Sequence, residues 1–468
     1  MINRRSFITA VPAAVAAPRA VTGEDAADLT IEQASDWIRR RKLTPAELVQ
    51  ACLARVDRLN PALNAMIIAV RDQALEQARR LKPSVARSPL HGIPVALKDL
   101  YDTAGLQTTC ASRQYRNRVP TADAEAVRRL KAAGAIVIGK ANMDEFAYNF
   151  TGETSAYGNC LNPWNRAYSP GGSSGGSAVA VATGMCLGAL GSDTGGSIRL
   201  PASVCGITGF KPTYGVISTA GAAPLAWSLD HVGPMTKTAR DAAIVHTAMA
   251  GPVTVPAAKT LRIGIPGHPF QDGMDPEVGA AVEAAIGVLG RLSAGVKRVA
   301  FPSIETADAS NQLPKPYSAV IYAEAWAFHQ PMAEATPELY HPQTLATIRA
   351  GASVSAAAYI SARREMERLR AAAASEVFHD CDILVMPTTP KIPFELGSNP
   401  PLIHLRNTAY FNLLGLPAIS IPCGFTAAGM PIGLQIAGPP HRDGLVFAVA
   451  EAFQNATDFH RKRPPLHA

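Results

Sequence analysis

Cysteine is sparse in this 468-residue chain, and no two of its thiols are spaced to work together. The seven lie at 52, 110, 160, 186, 205, 381 and 423, without a C-x-x-C pair or Cys/His ligand spacing, which excludes a zinc site. The odd count excludes a fully paired disulfide framework, and the thiols are expected to behave as small core hydrophobes. Aromatic residues make up 6% of the chain, and no Lys/Arg block has aromatics interleaved with it. The net charge of +7 therefore reads as scattered surface arginines, and no nucleic-acid partner is expected. Long hydrophobic runs are missing too. The longest, Ala178 to Leu190, is broken by Gly184 and Gly188, so no integral membrane segment is expected. What is present is globular composition, 47% hydrophobic and 17% charged, with ample material for a large core.

The first twenty residues, MINRRSFITAVPAAVAAPRA, stand apart. Arg4 and Arg5 precede Ser6-Phe7-Ile8, a short weakly apolar run and alanines near 17 to 20. This resembles a twin-arginine export signal, which carries folded proteins across the bacterial inner membrane. The expectation is a signal over residues 1–20, a single domain over 21–468, and a periplasmic or secreted mature protein.

Beyond the leader the pattern alternates. Thr30-x-x-Gln33 and Thr44-Pro45-Ala46-Glu47 are capping boxes. Leu48 to Leu59 keeps helical spacing until Asn60-Pro61, which predicts a stop. Helices are further predicted over 71–81, 124–133 and 355–378, and small residues predict a tightly packed helix from Gly176 to Leu190. Short apolar runs predict strands at 93–97, 135–138, 261–265, 383–386, 418–421 and 433–436. The alternation implies an α/β layered fold with a largely buried sheet. Residues 251–259 form the only soft boundary.

Four glycines and four serines crowd the stretch SPGGSSGGSA at 169–178. A linker would be polar on both sides, whereas this stretch leads into a buried-looking helix. A P-loop needs a lysine after its glycines, and none follows. Gly171 to Gly175 fits G-x-S-x-G, but the preceding NPWNRAYSP offers no strand to carry a nucleophile elbow. A second cluster, GSDTGGSIRLP at 191–201, again sets glycines around a serine, and HGIPVALKD places Lys98 at the end of a strand.

These three pieces, in this order and with Ser173 and Ser197 24 residues apart, resemble the amidase signature family. GAIVIGKANMDEFA, GFKPTYG, LDHVGPM, DILVMPTTP and LGLPAISIPCGFTAAGMPIGLQIAGP extend the resemblance from about residue 28 to the C-terminal helix. Tyr101 departs from it, since many members carry asparagine there. The resemblance implies an α/β/α fold with a central mixed sheet between helices, a signature core over about 90–240 and a variable substrate region over about 250–380. It further implies Ser197 as acyl-enzyme nucleophile, Ser173 as relay within a cis Gly172–Ser173 peptide, and Lys98 as base. The backbone N–H groups of Thr194, Gly195, Gly196 and Ser197 would form an oxyanion hole, with Ser174, Asp193 and Arg199 in support and Ser177 as a local hydrogen-bond donor. NMDEFA would border the acyl pocket. Tyr317, Tyr322, Trp326 and Phe328 either shape the leaving-group side or fill core.

The chemistry suits these residues. A serine hydroxyl is a poor nucleophile at neutral pH, and a Ser-Lys variant of the triad serves only where lysine is neutral. An apolar strand before Lys98 supplies the desolvation. The expected activity is hydrolysis of a carboxylic amide to acid plus ammonia or amine, without metal or organic cofactor, on a small-molecule amide. Oligomeric state is not legible. The alternatives are the glutaminase (A) subunit of a tRNA-dependent amidotransferase, against which the export signal argues, and an esterase or peptide amidase of the same family. A silent binding protein is disfavoured because Lys98, Ser173 and Ser197 are all present.

Overall fold

The computed structural model describes residues 23–81 and 88–465. The export leader expected over residues 1–20 lies outside them. Among the described residues one eleven-stranded mixed sheet runs through the molecule. Its first six strands are β1 Met66–Ala69, β2 Pro94–Lys98, β3 Ile136–Ala141, β4 Gly188–Asp193, β5 Thr208–Lys211 and β6 His231–Thr236. The other five are β7 Arg262–Pro266, β8 Gly295–Val299, β9 Ile383–Pro387, β10 Ala418–Phe425 and β11 Pro431–Ala437. The spatial order is β1-β3-β2-β4-β6-β5-β10-β11-β9-β7-β8. β2 is parallel to β3 and β4, and β7 to β8 and β9, while the middle of the sheet is antiparallel.

Helices cover both faces, as the α/β/α expectation requires. Successive strand side chains point to opposite faces, so Leu384 and Met386 join one apolar cluster while Ile383 and Val385 join the other. All seven cysteines are buried and unpaired, as small apolar residues would be. No helix among the described residues is long and apolar enough to cross a membrane.

Both capping boxes form, each with the reciprocal side-chain and backbone bonds. Two boundaries differ from expectation. The helix Pro45–Leu63 runs through Pro61 and ends at Asn64, whose φ of 50° is left-handed. A proline near a helix end forfeits a single N–H bond, and the Asn60 side chain takes up the Met66 backbone on both sides, closing the turn. The small-residue run does not stay helical to Leu190. Its helix covers Gly175–Ala182, Gly184 turns the chain at a φ of 73°, and β4 follows. Small residues suit close packing in either structure, so composition alone could not separate them.

Because β2, β3 and β4 are parallel, Lys98, Ala141 and Asp193 end on the same edge. The carboxyl edge of such strands is where open α/β sheets hold ligands.

Candidate active site

Lys98 is fully buried at the last position of β2. Its Nζ donates to Ser173 Oγ at 2.7 Å and to Ser192 Oγ at 2.9 Å. Burial pushes its amine down to about 7, against the pull of Asp144, Asp193, Asp230 and Cys110, which favour the ammonium. An ordinary lysine would stay charged to about pH 10, so this environment alone makes a neutral amine available near neutrality. Next to it, Tyr101 is buried and donates its hydroxyl to Gly191 O at 2.6 Å, bracing β2 on β4 where many members have asparagine.

Ser173 follows a cis peptide from Gly172, as the resemblance implied. The chain reaches it from a loop rather than a strand, which fits the rejection of a nucleophile elbow. The glycines around it are explained by crowding. A Cβ on Gly172 would fall 2.0 Å from Asp144 Oδ2, and one on Gly176 would meet the carbonyls of Ala65 and Asn142 at 2.4 Å. Ser174 joins the two serine loops: its N–H donates to Ser197 O at 3.2 Å and its hydroxyl donates to Ser192 O at 3.3 Å. Ser177 Oγ donates to Leu190 O at 3.0 Å.

The loop after β4 is held from below. Asp193 takes Arg199 Nη2 at 2.8 Å and Nε at 3.0 Å, both side chains being fully buried. Burial alone would raise the Asp193 carboxyl, but the Arg199 guanidinium outweighs it and holds the group well below the usual carboxylate range. Arg199 also donates to Thr408 O, Gln435 Oε1 and Asn412 Oδ1, at 3.0, 2.8 and 2.6 Å. Thr194 Oγ1 donates to Asp230 at 2.6 Å, and Thr408 Oγ1 to Gly195 O at 2.6 Å. Fixed this way, the backbone N–H groups of Thr194, Gly195, Gly196 and Ser197 donate to no acceptor among the described residues. Gly196 has a φ of 139°, which a side chain would not tolerate.

Ser197 opens into a cleft of about 400 Å³. Ala147, the last residue of NMDEFA, and Tyr148 to Phe150 form one wall, and Tyr317, Ile321 and Tyr322 another. Trp326 and Phe328 do not line it. They lie beyond the Tyr317–Tyr322 face of the helix Lys315–Ala335, and Trp326 packs on the core beside Gly351. Among the described residues no Asp, Glu, Lys, Arg or His lines the cleft. The sequence reading missed Ser192, the second hydroxyl on Lys98, although it lies inside the glycine-serine cluster. It also missed Thr408, Asn412 and Gln435, which carry no local signal.

A protein-family model described as Amidase matches residues 47–447. This chain belongs to the amidase signature family. Its members hydrolyse amide C–N bonds, and the sheet described above is the amidase signature fold. A curated relative, the A subunit of the glutamyl-tRNA(Gln) amidotransferase of Roseiflexus sp. (strain RS-1), is 38% identical over 94% of this chain and 98% of its own length. A solved structure titled "Crystal structure of amidase" superposes with a TM-score of 0.85 at 32% identity, covering 92% of this amidase and 100% of that chain. The corresponding glutamyl-tRNA(Gln) amidotransferase structure from Thermotoga maritima, again of the A subunit, gives a TM-score of 0.76 at 34% identity, over 95% and 99%. These relatives overturn the expected partner list, a small-molecule amide with no nucleic acid. Their name places a glutamyl-tRNA and a multi-subunit enzyme beside this fold. The physical reason is plain: one component of an assembly can serve a nucleic-acid-dependent reaction without carrying a basic, aromatic-studded surface of its own.

Proposed function

We propose that this amidase cleaves a carboxamide through a Ser197 acyl-enzyme, as the amide-hydrolysing component of a tRNA-dependent amidotransferase. One observation carries the chemistry: a buried Lys98 amine bonded to Ser173, in a loop tied to Ser197 at the mouth of the cleft. Ser197 Oγ attacks the carbonyl carbon as its proton passes to Ser173, whose own proton passes to neutral Lys98. The oxyanion is met by the unpaired N–H groups of residues 194–197. Lys98 returns the proton through Ser173 to the departing nitrogen, the C–N bond breaks, and ammonia leaves. Water, deprotonated along the same path, splits the acyl ester to release the acid and free Ser197. The amidotransferase reading is supported by the relatives' identity over nearly their whole length. Its test is ammonia release from glutamine by the purified chain, alone and with whatever co-purifies. Glutamine turnover that depends on a co-purified protein supports it, and no turnover in either state removes it.

A second reading is favoured by two features: the cleft without a charged side chain, and the Arg4-Arg5 leader. A glutamine entering this cleft meets no counter-charge for its ammonium and carboxylate, and unpaired buried charges are costly. On this reading the protein is an exported amidase acting on an uncharged carboxamide. Cell fractionation separates the two: mature protein in the periplasm, shortened by about the leader, supports export, and full-length protein in the cytosol removes it.

A further inference from the structure

Asp144 takes no part in the steps above, yet it is built into the same corner. It lies three residues beyond β3 and is fully buried. Its carboxylate accepts from Gly152 N at 3.0 Å, Glu153 N at 3.1 Å, Thr154 N at 3.4 Å and Thr154 Oγ1 at 3.0 Å. The Thr154 hydroxyl accepts from Glu145 N at 3.2 Å, so its own proton is free for Asp144. Four donors and no acceptor are the surroundings of a carboxylate, not of a carboxylic acid. On its other side the group touches the relay loop. Asp144 N donates to Ser173 O at 3.2 Å, and Oδ2 lies where a Gly172 Cβ would be.

We propose that Asp144 is a positioning residue for amide hydrolysis: it seats the Gly172–Ser173 peptide and keeps a negative charge against the relay serine to which Lys98 is bonded. This rests on Lys98 acting as the base. The titratable groups facing Lys98 are Asp144, Asp193, Asp230 and Cys110, with Asp144 exerting the largest charge effect. Asp193 is matched by Arg199, and Asp230 is engaged by Thr194, Leu225 and Ala226. Asp144 itself feels the Lys98 charge, which favours its carboxylate, and it in turn raises the buried Cys160 thiol. Burial raises its carboxyl, and the donors oppose that.

The experiment follows the rate at which a fluorophosphonate labels Ser197 in the full chain as pH is varied. Asp144→Asn keeps an acceptor and removes the charge. The acid limb should then move down by roughly one pH unit, raising labelling at pH 6, relative to its own plateau, about fivefold. Thr154→Val, which loosens the carboxylate without deleting it, should move the limb the same way by less, and it serves where Asp144→Asn does not fold. A limb that stays in place or moves up in the folded variants overturns the proposal, because a purely structural role lowers the plateau and leaves the midpoint alone. Lys98→Ala is the separate control. A limb that persists there removes Lys98 as base, and with it the proposed proton path through Ser173, whatever Asp144 does.

Discussion

The loops around the two serines and the wall that faces them are built differently. Every residue from Ser169 to Thr213 is buried, and most of the polar side chains among them are held by hydrogen bonds to backbone or to buried side chains. The helix Lys315–Ala335 buries one stripe, with Tyr317 and Ile321 toward the cleft, and leaves Lys315, Ala327, Gln330 and Glu334 exposed to solvent. On the proposed mechanism the first region fixes groups that move protons, where a fraction of an ångström matters. The second only has to present a surface of suitable shape. Substitutions should therefore be severe and substrate-independent in the first region, and mild and substrate-dependent in the second.

The largest effect is expected at Ser197. Ser197→Ala should lower kcat by about 10⁴-fold or more with the melting temperature unchanged, measured by ammonia release. Lys98→Ala should cost roughly 10³-fold near neutrality. The pH dependence follows from the amine held at about 7. Below that value Lys98 carries its proton and cannot take one, so kcat/KM should fall about tenfold per pH unit on the acid side and level off above it. A limb near pH 10 instead would mean that Lys98 is solvated.

Arg199→Met probes support rather than chemistry. It strands Asp193 in the interior, and breaking such a pair costs roughly 3–5 kcal/mol, read by denaturant titration. Gly195→Ala attacks the border between the regions, because its Cβ would fall 2.0 Å from the Tyr317 hydroxyl. The displaced tyrosine and loop should lower kcat/KM about 10²-fold. On the wall itself, Tyr317→Phe keeps the ring and loses the hydroxyl, for a change of about three- to tenfold that differs between substrates. A uniform 10²-fold loss there would erase the distinction between the two regions.

How much could be read beforehand divides along a related line. Ser173, Ser197 and the Asp193–Arg199 pair lie in short glycine-rich segments whose composition is itself unusual, Lys98 ends an ordinary apolar strand that only the family resemblance singles out, and the structure brings them to one edge. The α/β layering followed from alternating apolar runs. Five strands escaped: β1, β5, β6 and β8 because they are short or polar, with β8 mostly exposed, and β4 because its small residues suit a helix as well as a strand. The Arg199 partners Thr408 and Gln435 are 209 and 236 residues away, in a helix and a strand that look ordinary on their own. Nothing local encodes a contact made only by folding. Composition misled on partners for a similar reason, since a surface without basic clusters says nothing of what neighbouring subunits bind.

The buried, unbridged thiols have a practical consequence. Burial lifts Cys52 and Cys423 to about 12 and Cys381 to about 11, so almost no thiolate exists at working pH. Alkylating reagents such as iodoacetamide react with thiolate, and the intact protein should stay unmodified by them. Alkylation then becomes an alarm for unfolding. An inactive variant that resists the reagent has lost its chemistry, and one that is rapidly carboxamidomethylated has lost its shape.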